Sequence, residues 1–132
     1  MILDTHVLLW LITDDKLLGG NARKKCDEAL ANDSLRVSAI SWWEIEMLLR
    51  KGRIELTQDT RSLRKVLIES GLIEMTIDGE IGISAAALDN FHGDPADRII
   101  TATAHINGFV LLTADKQILQ WKNQCARQDA RK

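Results

Sequence analysis

The sequence is poor in the residues that cross-link or punctuate a chain: among 132 residues there are two cysteines and one proline. Cys26 and Cys125 stand far apart and form no Cys-x-x-Cys unit, which argues against a zinc site or a disulfide framework and fits a reducing cytoplasm. Nor is there an excess of positive charge. Seventeen Lys and Arg face nineteen Asp and Glu, for a formal charge of -2, so any nucleic-acid binding needs local basic patches or bound cations. Long apolar runs are missing as well. The opening stretch MILDTHVLLWLITDD has no basic leader and is interrupted by Asp4 and His6, so neither a signal peptide nor a membrane span is expected. There is no repeat and no low-complexity block. With 45% hydrophobic residues, the chain is expected to be one soluble, cytoplasmic domain spanning residues 1–132. Its last residues, 122–132, KNQCARQDARK, are polar and basic and are expected to fray or to act as a contact arm.

What is present alternates. Short apolar runs at 2–3, 35–38, 72–77 and 109–113 read as strands, the last following an Asn107-Gly108 stop signal. Helical patterns fill the intervals at 5–12, 22–31, 42–50, 62–69, 84–91 and 95–106. Alternating strands and helices imply an α/β three-layer domain, with a central, mostly parallel sheet flanked by helices on both faces.

In an open parallel sheet, ligands bind beyond the carboxyl ends of the strands. Four acidic residues fall there. Asp4 follows the first strand, Glu44 lies early in the helix after the second, Asp97 lies in the first turn of the sixth helix, and Asp115 follows the strand FVLLT. Each has a structural explanation. Ser41-Trp42-Trp43-Glu44 fits a Ser-x-x-Glu capping box; Asp94-Pro95-Ala96-Asp97 fits an Asp cap followed by proline at the first helical position; Asp4 and Asp115 could each cap the helix that follows. Taken together, however, four acids converge where Ser, Thr or Asn would cap as well without crowding like charges. A divalent cation relieves that crowding. All-oxygen donors without paired His or Cys favour Mg²⁺, with Mn²⁺ as a substitute. Asp4 and Asp97 are then the expected direct ligands, with Glu44 and Asp115 holding waters or a second ion. Such a site suits phosphodiester hydrolysis.

Four blocks, LDTHVLLW, VSAISWWEIEMLLRKGRIEL, FHGDPADRIITATA and LLTADKQI, occur in an order and spacing by which the chain resembles a PIN-domain ribonuclease, specifically the VapC-type toxins of toxin-antitoxin pairs. The likeness runs nearly end to end, although family members often carry a few more residues before the first Asp. It implies a PIN-like α/β/α fold and Mg²⁺-dependent endonucleolytic cleavage of RNA. It also implies a small cognate antitoxin as partner, with a homodimer and a toxin-antitoxin hetero-oligomer as expected assemblies. Residue by residue, it makes Asp4, Glu44, Asp97 and Asp115 the acidic site. Thr113 is the small hydroxyl residue before the fourth acid, and Asp94 and Arg98 are supporting neighbours, Asp94 mainly as a cap. Arg98 points about 100° from Asp97 on a helix.

Other features are less specific. Arg50, Lys51, Arg53, Arg61, Arg64, Lys65 and Lys116 offer either phosphate contacts or an ordinary solvated face. Trp42 and Trp43 cannot share one helix face, so one is expected in the core; the other, like Trp10 and Leu11, is expected either in an apolar groove for an antitoxin or a second protomer or, with all four tryptophans, in the core. His6, His92 and His105 show no metal spacing with one another; His6 is close enough in sequence to Asp4 to approach the site but is read as structural. The alternative function is a PIN-like module that binds metal or partner without cleaving. A phospho-acceptor receiver domain ranks last, because a single acid, Asp4, follows the first strand.

Overall fold

In a computed structural model that describes residues 1–123 and 125–132, five strands form one sheet in the order β3-β2-β1-β4-β5, every neighbouring pair parallel. The strands are β1 (Ile2–Leu3), β2 (Arg36–Ser38), β3 (Ile73–Met75), β4 (Leu111–Thr113) and β5 (Arg127–Asp129). The helices are α1 (Thr5–Ile12), α2 (Gly20–Ala31), α3 (Ile40–Arg50), α4 (Thr60–Glu69), α5 (Gly79–Ala86), α6 (Pro95–Asn107) and α7 (Lys116–Gln120). The α/β class expected from the alternation is therefore what forms, and the sheet is parallel throughout.

Period-two alternation divides the core between the two faces of the sheet. Leu3, Val37 and Leu112 pack with Val7, Leu8, Cys26 and Ile45 on one face, while Ile2 and Leu111 pack with Ile100, Ala104 and Ile118 on the other. The register sets Leu3 beside both Val37 and Leu112. Asp4 thus leaves the sheet level with Thr113 and Ser38. β1 is the central strand, and the chain turns to β2 on one side and returns to β4 on the other. The crevice beyond β1 and β4 is the topological switch point at which such sheets bind ligands.

Local signals account for most helix ends. Aspartates cap five helices through side-chain bonds: Asp4, Asp59, Asp78, Asp94 and Asp115. Pro95 opens α6, and Gly108 closes it at φ 66°, where a residue without Cβ is unstrained. Helices α2, α3 and α4 each begin two residues before the expected position, and α5 and the start of α3 depart further from the sequence pattern. α5 begins five residues before the expected start at 84, because Asp78 accepts a bond from the Ile81 amide. It stops before Phe91, because the chain turns at Asn90 (φ 56°) and buries Phe91 against the second core. The Trp121 indole N–H holds that turn by donating to the Asp89 carbonyl at 2.8 Å. The capping box at Ser41 and Glu44 does not form. α3 starts after Ala39 without a side-chain cap, and the Ser41 hydroxyl is instead paired with that of Thr5 at 2.8 Å.

The tail is the largest correction. Gln124 lies outside the described residues, but residues 127–129 do not fray; they form β5 along the β4 edge. The Leu111 amide donates to Ala126 and the Ala130 amide to Thr113. Ala130 is fully buried, and the Gly19 and Asn21 amides reach the Ala130 and Lys132 carbonyls. Gly19 has to lack a side chain: a Cβ there would run into the backbone of Arg131 and Lys132. Arg-Gln-Asp carries no apolar signal because an edge strand is held by backbone bonds and protected by polar side chains.

Candidate active site

One crevice of about 250 Å³ at the switch point is lined by Asp4, Glu44, Asp94, Asp97 and Asp115, so the four acids expected at the strand ends meet, and Asp94 joins them. His6, Trp10 and Arg131 complete the walls.

The capping and crevice-lining roles fall on the same residues and are divided oxygen by oxygen. Asp4 Oδ1 accepts the His6 amide at 2.8 Å and caps α1, while its Oδ2 accepts the Thr113 hydroxyl at 2.6 Å. Asp115 Oδ1 accepts the Gln117 amide at 2.8 Å and caps α7, leaving Oδ2 to face His92 at 3.7 Å. Asp94 Oδ1 accepts the Asp97 amide at 2.9 Å. That bond fixes the first turn of α6 and aims Asp97 into the crevice, where its Oδ2 lies 3.3 Å from His92 Nε2. Glu44 caps nothing, and its Oε1 is buried without a hydrogen-bond partner.

Crowding has the electrostatic result that like charges in a dry cleft impose. Burial, reinforced by Asp4, Asp94, Glu44 and Asp115, pushes Asp97 up to about 8. Burial also raises Asp4, against the lowering effect of its bonds from Thr113 and the His6 amide. Glu44 is raised by burial too, partly offset by the Thr5 hydroxyl. An orphaned carboxylate oxygen beside carboxyls held partly against ionisation fits a hydrated cation: a divalent ion supplies the missing charge, and its bound water the missing partner. Among the described residues, Asp97 and Asp115 have donor atoms close enough to share an ion, with His92 beside them, and Asp4 and Glu44 add carboxylates to the same crevice, an oxygen-rich lining that suits a hard metal.

Some site residues were not legible in the sequence. His92 approaches Asp97 and Asp115 within a cluster whose donor atoms lie within 4.8 Å of one another. Its spacing to His6 and His105 carries no hint of this, because its partners are carboxylates brought in by folding. Arg131 comes from the tail and donates to the Ala114 carbonyl.

Arg98 needs correction. Its guanidinium donates to the carbonyls of Ala85, Phe91 and His92, at 3.0, 2.7 and 2.9 Å. It clamps the α5–α6 connection and does not line the crevice. Of the other basic residues, Arg64 is engaged with both oxygens of Glu74, and Arg50 with Glu46. Trp42 is buried and its indole bonds Glu74, whereas Trp43 is 50% exposed.

A parallel three-layer α/β fold with a carboxylate-lined crevice at its switch point defines the class of acidic-site α/β proteins. Within that class the comparisons are specific. The family model for the PIN domain matches residues 1–122, and the chain belongs to the PIN-domain family. It is 35% identical over 119 residues to Ribonuclease VapC22 of Mycobacterium tuberculosis (strain ATCC 25618 / H37Rv), covering 89% of this chain and 88% of that protein. Among solved structures, the fold is similar to VapBC2 from Rickettsia felis bound to a DNA fragment from their promoter (TM-score 0.68, 16% identity, 96% of each chain). It is also similar to a toxin-antitoxin complex from Klebsiella pneumoniae (TM-score 0.60, 21% identity, 92% of each chain). Among the described residues, no helix is long and apolar enough to cross a membrane.

Proposed function

We propose that this chain is a Mg²⁺-dependent endoribonuclease, the toxin of a toxin-antitoxin pair, and that Asp4, Glu44, Asp97 and Asp115 form its catalytic site. The observation that carries this reading is the buried, unpartnered Glu44 Oε1 in a crevice where burial, reinforced by four neighbouring carboxylates, raises Asp97 to about 8. Such an arrangement is costly for a fold to keep unless it binds a cation. The relative named as a ribonuclease supports RNA as substrate.

When bound, Mg²⁺, or Mn²⁺ in its place, polarises a phosphate and lowers the pKa of a coordinated water. The chain's own residues do the rest. Asp4 and Asp97 would be the direct ligands, Asp4 as the cap of α1 and Asp97 in the turn that the Asp94 cap opens. Thr113 fixes the Asp4 carboxylate, and Asp94 fixes the turn that carries Asp97. Glu44 and Asp115 would hold waters around the ion. Unpaired basic side chains beyond the acidic crevice contact the flanking RNA phosphates.

Similarity to chains of toxin-antitoxin complexes supports a small antitoxin as partner, and a homodimer within a hetero-oligomer is part of the same proposal. The half-exposed Trp43 is an apolar contact available for that purpose. Strand β5 and the bonds from Gly19 and Asn21 support reading residues 1–132 as one domain. Free, buried Cys26 and Cys125 suit a cytoplasmic protein.

The test is cleavage of RNA by purified protein with Mg²⁺, compared with Asp4→Asn and Asp97→Asn. Loss of cleavage with the fold retained supports the proposal, and full activity in either variant sinks it. If the protein binds the cation and an antitoxin but cuts no RNA, the non-catalytic module is the correct reading.

A further inference from the structure

His92 sits in the α5–α6 connection, two residues before the cap of α6, and its ring is held on several sides. It stacks on Phe91 with centroids 4.6 Å apart and planes at 22°, and Phe91 in turn meets the edge of Trp121. Arg98 grips the backbone carbonyls of both Phe91 and His92. One face of the imidazole is therefore fixed by packing and its backbone by a guanidinium.

The two ring nitrogens have different environments. Nδ1 accepts the Asp94 amide at 3.3 Å. A nitrogen that accepts carries no proton, so the ring proton sits on Nε2. Nε2 is buried without a closed hydrogen bond, 3.3 Å from Asp97 Oδ2 and 3.7 Å from Asp115 Oδ2.

Two roles fit those distances. As a metal ligand, His92 would need its lone pair on Nε2, which moves the proton to Nδ1 and sets it against the Asp94 amide, donor facing donor. As a donor, it needs no rearrangement. We infer that His92 is a positioning residue, whose Nε2–H lies between Asp97 and Asp115 and holds these carboxylates, from α6 and from the β4–α7 junction, in the register the cation requires. The inference rests on the cation-dependent reading above. Partners of this kind, one step removed from the metal, orient ligating carboxylates and typically change affinity by 10–100-fold when removed.

The experiment uses the full chain with Mn²⁺ as probe, reading affinity by calorimetry and nitrogen coordination by electron spin echo spectroscopy. It compares wild type, His92→Ala and His92→Gln, whose amide N–H can reach the place of Nε2–H. The expected result is no directly coordinated nitrogen in wild type, affinity about 10-fold or more weaker in His92→Ala, and affinity within about threefold of wild type in His92→Gln. All three should melt alike without metal. A coordinated-nitrogen signal in wild type overturns the inference in favour of a ligand role. Unchanged affinity in His92→Ala, or equal weakness in His92→Gln, also overturns it while leaving the cation site standing. Absence of Mn²⁺ binding by wild type overturns both readings. Should His92→Ala not fold, the wild-type spectrum and the His92→Gln affinity still decide.

Discussion

The Thr113 hydroxyl donates to Asp4 Oδ2 at 2.6 Å, joining the ends of β4 and β1 across 109 residues of sequence. Both groups are buried, and this bond opposes the burial that raises the Asp4 carboxyl. Thr113→Val keeps the shape and removes the donor. The expected outcome is a loss of about 1–3 kcal/mol of stability where Asp4 stays charged, because a buried acceptor is left unpaired. Denaturant titration measures that loss, and calorimetry should show weaker Mn²⁺ binding. An unchanged midpoint together with unchanged affinity contradicts the role assigned to the pair.

The Asp97 carboxyl, near 3.8 in the unfolded chain, rises to about 8 in the folded one. Between these values the folded state holds a proton that the unfolded state has lost, so its contribution to stability decreases as pH rises from about 4 to about 8. Without metal, the melting temperature should therefore drop across that window, and Asp97→Asn should flatten the decline. Millimolar Mg²⁺ should raise the melting temperature at pH 8, since the ion binds only the assembled site. A cation-free chain equally stable at both ends, with no difference in Asp97→Asn, contradicts the crowding.

Asp94 and Asp97 should separate in mutation. Asparagine caps about as well as aspartate, so Asp94→Asn should keep α6 and the melting temperature and lower cleavage only modestly. Asp97→Asn should cut it by more than about 100-fold, beyond the range for partners one step from the metal. Comparable activities in the two variants would remove the distinction.

Arg98→Lys preserves the charge but cannot serve carbonyls spread over residues 85–92. A loss of about 1–3 kcal/mol is expected from the carbonyls left unpaired, seen as a lower denaturant midpoint. If Arg98 acted by charge on phosphates, Lys would leave stability intact, and that result contradicts the clamp.

Gly19→Ala should displace the tail, because the added Cβ meets the backbone of Arg131 and Lys132. Overpacking of this kind costs about 1–3 kcal/mol. Amide exchange should become faster at Ala130, whose N–H bonds Thr113 across the β4–β5 edge, and unchanged exchange there contradicts the tight seat.

Local pattern along the chain encodes the elements and their order. Short apolar runs and helical stripes specify strands, helices and a parallel sheet, because a strand buried on both faces reads as a continuous apolar run and a helix buried on one face as a periodic stripe. The acids at the strand ends were visible for the same reason: their place follows from where each strand stops. Four residues were legible as caps, Asp4, Asp94 and Asp115 rightly and Ser41 wrongly, since a hydroxyl can bond a distant neighbour as readily as its own helix. Tertiary structure alone decided the rest. β5 is joined by backbone bonds to an edge, so Arg-Gln-Asp shows no periodicity. His92 faces Asp97 and Asp115 only because a loop, a helix start and a strand end converge. Which carboxylate oxygen caps a helix and which faces the crevice is likewise a matter of three-dimensional direction, and residue order carries no record of it.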